Sequence, residues 1–184
     1  TQIKTGIGCP SITGNYYAWK AVRNWELSQV DLFESNEPDP ANRPSILTDG
    51  GIRYPRDLVK AIASGCDAVI CGRIFAGISD VIDDENIVEK NGKRFAKYRG
   101  MASKDVVEDY ELYDGNKKNL FVEGDNTLIP IIEDKTIEDI VYDFANGLRS
   151  AMSYLGFRSL KDMRGGLWTN KIQAVRTTSN NMYE

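Results

Sequence analysis

A chain of 184 residues with 41% hydrophobic content can bury a sizeable core, and its length fits one domain or part of a larger one. A formal net charge of −4 argues against general nucleic-acid binding, because phosphate backbones need a basic surface. No apolar run approaches the roughly 18 residues of a membrane span and no signal-peptide pattern opens the chain, so a soluble cytoplasmic protein is expected, with neither membrane nor nucleic acid as partner.

The sequence has no histidine. That excludes a Ser-His-Asp triad, a His-ligated zinc and an imidazole base. Acid, base and nucleophile roles are left to Asp, Glu, Lys, Tyr, Cys, Ser, Thr or Arg. Cys9, Cys66 and Cys71 are odd in number and lack metal-ligand spacing, which predicts reduced thiols and no metal centre.

In chain order, Thr1 to Gly6 reads as a strand running into a tight loop, Gly6-Ile7-Gly8-Cys9-Pro10-Ser11. Tyr16 to Val30 reads as a helix, and Glu34 to Pro44 as a surface loop. Ile46-Leu47-Thr48 is a short apolar strand ending at Asp49-Gly50-Gly51. A helix follows, with Pro55 in its first turn, Leu58, Val59 and Ile62 on one face, and Gly65 as its stop. Ala68-Val69-Ile70-Cys71 is a second apolar strand, and Gly72-Arg73 opens a short helical run to Gly77. Strand, helix, strand with apolar strands predicts a parallel sheet buried on both faces.

Ile87 to Lys90, Asn91-Gly92 and Lys93 to Tyr98 form a hairpin with a type I′ signal. Arg99 to Asn119 reads as a flap containing a helix. Thr136 opens the strongest helix, with Asp139 completing a capping-box-like start, Ile137, Ile140, Val141, Phe144, Leu148, Ala151, Met152 and Leu155 in register, and Gly156 as its end. About three strands are of the barrel type, whereas a complete (β/α)8 TIM barrel has eight, so the chain reads as the second part of an α/β barrel.

The two glycine loops of residues 46–77 carry the clearest chemistry. Glycine lets the backbone approach an anion closely, and a helix N-terminus directs free N–H groups at it. One such loop is an ordinary turn. Two in succession, one helix apart, predict a phosphate site to which Arg73 adds a charge-assisted contact.

Gly6-Ile7-Gly8-Cys9-Pro10-Ser11, Asp49-Gly50-Gly51-Ile52, Gly72-Arg73-Ile74-Phe75-Ala76-Gly77, Tyr98-Arg99-Gly100-Met101-Ala102-Ser103, Glu123-Gly124 and Gly147-Leu148-Arg149-Ser150 stand in the order seen in the IMP dehydrogenase/GMP reductase family. The chain resembles that family's catalytic TIM barrel from about strand six onward, as a single partial domain over 1–184 with a hairpin and flap insertion at 86–124. The first five strands would lie outside this chain, either on another polypeptide or in a longer protein of which this sequence is a fragment.

The resemblance implies a purine mononucleotide, GMP or IMP, across the barrel mouth, with NAD or NADP stacked against it, in a homo-oligomer, by resemblance a tetramer. Ser11, Asp49, Gly50, Gly51, Gly72, Arg73 and Tyr98 would surround the ribose phosphate. Gly100, Met101 and Ala102 would lie along the base, and Glu123, followed by Gly124, would hydrogen-bond its N1 edge. Family members share thiolate attack on C2 of the purine; dehydrogenases then hydrolyse the adduct with an Arg-Tyr pair on a long flap, and reductases release ammonia. Met101 to Glu123 is short and has no Arg-Tyr pair, and Gln173-Ala174-Val175-Arg176-Thr177-Thr178 resembles the reductase ending, which favours GMP reductase over IMP dehydrogenase.

The nucleophile loop departs from the family pattern. An ungapped match puts Thr13 at the cysteine position, with Cys9 four residues earlier and Gly14 and Asn15 in place of threonines. An unassisted hydroxyl is far less ionised than a thiol, so the substitution should cripple covalent attack. Cys9 is open to three readings: a displaced nucleophile, a small packing residue or a redox-sensitive bystander. Three functions follow: a reductase-like enzyme with Cys9 or Thr13 facing C2, a relative acting noncovalently on a modified purine nucleotide, and a noncatalytic nucleotide-binding subunit.

Overall fold

The computed structural model describes residues 6–29, 42–100, 103, 104, 106 and 126–174. The elements are α1 (Ser11–Ser28), β1 (Leu47–Asp49), α2 (Pro55–Ala63), β2 (Ala68–Ile70), β3 (Ile87–Lys90), β4 (Lys93–Arg99), β5 (Asn126–Pro130), α3 (Ile137–Leu155) and α4 (Leu160–Met163). The chain is α/β, as expected, with one parallel and one antiparallel sheet. It divides into two compact units, Pro10–Ile70 with Phe144–Glu184, and Thr1–Cys9 with Cys71–Asp143.

In the first unit β1 and β2 pair in parallel, Leu47 with Ala68 and Asp49 with Ile70, around the connecting helix α2. Pro55 occupies the first turn of α2, where its missing N–H costs nothing. Gly65, at φ +104°, ends the helix as predicted. Alternation along the strands places Thr48 and Val69 on one face and Leu47, Asp49, Ala68 and Ile70 on the other. Thr48 is buried against Asn15 of α1. Leu47 and Ile70 remain 55% and 46% exposed. The expectation of a sheet buried on both faces therefore holds for one face only, because none of the described residues covers the other.

Trp19 of α1, half-buried, packs against Gly65 and Gly165. The C-terminal segment is sewn to the end of α2: Gly165 N donates to Ile62 O, Leu167 N to Ala63 O, and the indole N–H of Trp168 to Ser64 O at 2.8 Å. These bonds satisfy carbonyls that a helix end leaves open. Cys66 and Met163 are fully buried beside them. Asp67 joins three segments, accepting from Ile46 N at 2.8 Å and from Arg43 at 3.1 Å and pairing with Arg164. Arg43 Nε in turn lies 3.0 Å from Glu26 Oε1, an ion pair without hydrogen-bond alignment.

The second unit carries the antiparallel sheet β3-β4-β5. Asn91 (φ 53°) and Gly92 (φ 69°) form the hairpin turn, both left-handed as a type I′ turn requires. β5 was not legible as a strand; its pairing of Ile129 with Ala96 buries the centre of β4. The helical run expected from Gly72 to Gly77 is a series of turns instead, with Phe75 N and Ala76 N both bonding Gly72 O. The chain then bridges Ile78 to Ile132, and a single 3-10 turn follows at Ser79–Val81.

α3 starts as predicted. Thr136 Oγ1 accepts from Asp139 N, and Asp139 Oδ2 accepts from Thr136 N, a reciprocal capping box. Gly156 (φ 76°) ends it. Ile140 is buried, but Val141 is 53% exposed, so the apolar stripe is only partly covered by described residues. The strand expected at the start of the chain and the body of the flap lie outside the described residues.

Candidate functional site

Helix α1 begins at Ser11, five residues before the expected Tyr16. Pro10, with φ −55°, leads straight into helical geometry, and its carbonyl takes the first helical bond from Gly14 N at 2.9 Å. Ser11 and Thr13 thus stand in the first turn of a helix, both exposed, rather than on a loop. No side chain caps this turn and it holds no acidic residue. Its leading N–H groups and the positive end of the helix dipole are open to an anion.

The open turn faces a pocket of about 130 Å³, whose lining includes Ser11, Asn15, Thr48, Gly50, Gly51 and Lys60. Gly50 and Gly51 have φ of +82° and +78°, a region other residues enter only with strain. With no Cβ, they leave this wall of the pocket as bare backbone. Lys60 supplies a positive charge. Asp57 also borders the pocket, but its Oδ2 accepts from Arg53 N at 3.1 Å and Tyr54 N at 3.0 Å, closing the start of α2. Of the two glycine loops predicted to hold a phosphate, Gly50-Gly51 shares this pocket with the uncapped start of α1, while Gly72-Arg73 belongs to the other unit.

Asp49, at the end of β1, is exposed and is not among the residues lining this pocket. In the other unit Gly72 and Tyr98 stand together, a Cβ at Gly72 falling 2.9 Å from the Tyr98 hydroxyl. The guanidinium of Arg73 lies 5.8 Å from the Tyr98 ring centroid. Gly100, half-buried, accepts from Ser103 N at 2.9 Å, and Ser103 is fully buried with a hydroxyl unpartnered among the described residues. Met101, Ala102, Glu123 and Gly124 lie outside the described residues.

Cys9 is exposed among the described residues, which speaks against its reading as a packing residue. Burial raises the Cys66 thiol above its ordinary range and does the same for Cys71, so both stay protonated and unreactive near neutral pH. No group of three or more His, Cys, Asp or Glu side chains among the described residues could hold a metal.

Sequence reasoning missed Asn15, Thr48 and Lys60 as pocket residues. Asn15 follows Ser11 by four positions and so shares its helix face. That spacing is a signal only if the helix is known to start at Ser11.

Comparison with known proteins bears on what this pocket belongs to. The chain matches the IMP dehydrogenase / GMP reductase domain family over residues 1–184. It is 32% identical over 170 residues to the inosine-5'-monophosphate dehydrogenase of Borreliella burgdorferi, covering 89% of this chain and 37% of that protein. It is 31% identical to the enzyme of that name from Aquifex aeolicus (97% of this chain, 32% of that protein) and 30% identical to the one from Bacillus subtilis (100% and 33%). The chain thus spans about a third of the length of these relatives. On the match over its whole length, the chain belongs to the IMP dehydrogenase/GMP reductase family.

Proposed function

We propose that this chain forms the purine-nucleotide-binding part of an NAD-dependent IMP dehydrogenase. The observation that carries the reading is the meeting of an uncapped helix start, the bare backbone of Gly50-Gly51 and the Lys60 cation in one pocket. Phosphate oxygens there would accept from the first-turn amides of α1 and pair with Lys60. Gly72, Arg73 and Tyr98 are further proposed contacts to the ribose phosphate, and Glu123 to the purine. All the relatives named above are IMP dehydrogenases, which moves the reading away from the GMP reductase direction that the short flap suggested.

The overall reaction would convert IMP, NAD and water to xanthosine monophosphate, NADH and a proton, with hydride leaving C2 of the purine for the dinucleotide. A pocket of about 130 Å³ takes a phosphate-sized group, whereas small-molecule sites usually have ~300–1,000 Å³. No residue lining this pocket is assigned to NAD. The remaining barrel strands are proposed to come from polypeptide outside these residues, in a cytoplasmic homotetramer.

One observation favours a second reading, nucleotide binding without covalent chemistry. By the resemblance Thr13 takes the position of the family's cysteine; it lies in an exposed helical turn, and no base is hydrogen-bonded to its hydroxyl among the described residues. The test is IMP titration together with IMP-dependent NADH formation, followed at 340 nm, on the protein containing this chain. Binding with steady NADH supports the dehydrogenase. Binding without NADH selects the second reading, and absence of IMP binding defeats both.

A further inference from the structure

Ser64 is fully buried at the end of α2 and is not among the residues lining the pocket. Its hydroxyl donates to Ala61 O at 2.9 Å. A hydroxyl has one proton, so what it offers in any other direction is a lone pair. Asn15 Nδ2 donates to that lone pair at 2.7 Å, and Asn15 Oδ1, turned the opposite way, accepts from Thr48 Oγ1 at 2.9 Å. Flipping the Asn15 amide would set its oxygen against the Ser64 lone pair, whereas the Thr48 hydroxyl could rotate to accept from the nitrogen, so it is Ser64 that opposes the flip. Asn15 and Thr48 are only 6% and 4% exposed, so little solvent is at hand to replace a broken bond.

We propose that Ser64 is a positioning residue for the pocket: it fixes which edge of the Asn15 amide faces the ligand. Asn15 and Thr48 both line the pocket, and Asn15 sits one helical turn behind Ser11. With the amide held, the floor keeps one Nδ2–H and one Oδ1 lone pair of Asn15 in set places beside the first-turn amides. Ser64 is itself held, its N–H bonding Lys60 O at 2.9 Å and its carbonyl accepting from the Trp168 indole. The pattern of donors and acceptors seen by a ligand is thus set from outside the pocket. The ligand side of this inference rests on the proposed function; the orientation of the amide does not.

The test compares wild type, Ser64→Ala, Asn15→Ala and the double variant below the melting temperature of each. Two readouts are needed: solvent exchange of the Asn15 side-chain amide protons by NMR without ligand, and the Kd for IMP. Positioning predicts at least tenfold faster exchange in Ser64→Ala, an IMP Kd about tenfold weaker, and a double variant no worse than Asn15→Ala alone. A merely structural Ser64 would lower the melting temperature but leave amide exchange and Kd unchanged, and that result overturns the proposal, as does full additivity of the two losses. If wild type binds no IMP, the proposed function fails, and the exchange measurement alone decides this inference. Should Ser64→Ala not fold, Ser64→Cys, close in shape but a poor donor and acceptor, is held to the same exchange criterion.

Discussion

Gly65 has no side chain because Trp19 occupies the space one would take: a Cβ there would lie 2.6 Å from Cδ1 and 2.9 Å from Cβ of Trp19. The conformation is also left-handed, at φ +104°. Gly65→Ala therefore combines backbone strain with overpacking and should cost about 2–5 kcal/mol in denaturant unfolding. Gly92, also at positive φ but with nothing within 4 Å, isolates the backbone part. Gly92→Ala should cost only about 1–2 kcal/mol. Equal losses at the two sites would contradict the packing of Trp19.

Asp67 holds three segments of one unit together. Burial opposes its charge, but the Ile46 N–H and the guanidinium groups of Arg43 and Arg164 outweigh that and hold its carboxyl below the ordinary value of 3.8. A carboxylate whose folded pKa is depressed contributes stability above its unfolded pKa and loses it as pH falls through the folded value. Asp67→Asn should destabilise the protein by about 1–3 kcal/mol at pH 7 and flatten the loss of stability below pH 4. Unfolding free energies of the two proteins from pH 7 to pH 2.5 check this. A parallel offset at every pH would show that Asp67 acts through packing alone.

The Tyr98 hydroxyl closes the space above Gly72. Gly72→Ala should cost about 1–3 kcal/mol through this clash, and Tyr98→Phe in the same protein should recover most of it. Failure of the double variant to recover would place the Gly72 constraint elsewhere.

The periodic elements were legible because local rules set them. Asn91-Gly92 fixes its hairpin turn, Thr136 and Asp139 fix the start of α3, and Pro55 and Gly65 bound α2. What the sequence concealed depends on partners far along the chain. β5 pairs across more than 25 residues and ends in Pro130, and the turns after Gly72 are set by the Ile78–Ile132 bridge. The start of α1 carries no side-chain cap and no apolar repeat before Tyr16, so neither it nor the placement of Asn15 on its inner face was legible. Gly50 and Gly51 do line a pocket, but that the start of α1 shares it was not legible, because it depends on a helix beginning at Ser11.

The capping role of Asp57 gives a further prediction. Asp57→Ala frees the Arg53 and Tyr54 amides and removes a carboxylate from the pocket wall. Stability should fall by about 0.5–2 kcal/mol, the usual cost of a lost helix cap. Affinity for inorganic phosphate should rise, because a repulsive charge is gone and a second helix start is open. Weaker phosphate binding by a folded Asp57→Ala protein would show that the anion does not sit in this pocket.

The open start of α1 and the Gly50-Gly51 backbone are proposed to grip a nucleotide phosphate. Calorimetric titration of IMP and of inosine into wild type and Gly51→Val tests this most directly. IMP should bind wild type at least tenfold more tightly than inosine, and Gly51→Val, once shown to be folded, should lose that preference. Equal affinity for IMP and inosine in the wild type, or an unchanged preference in Gly51→Val, would contradict it.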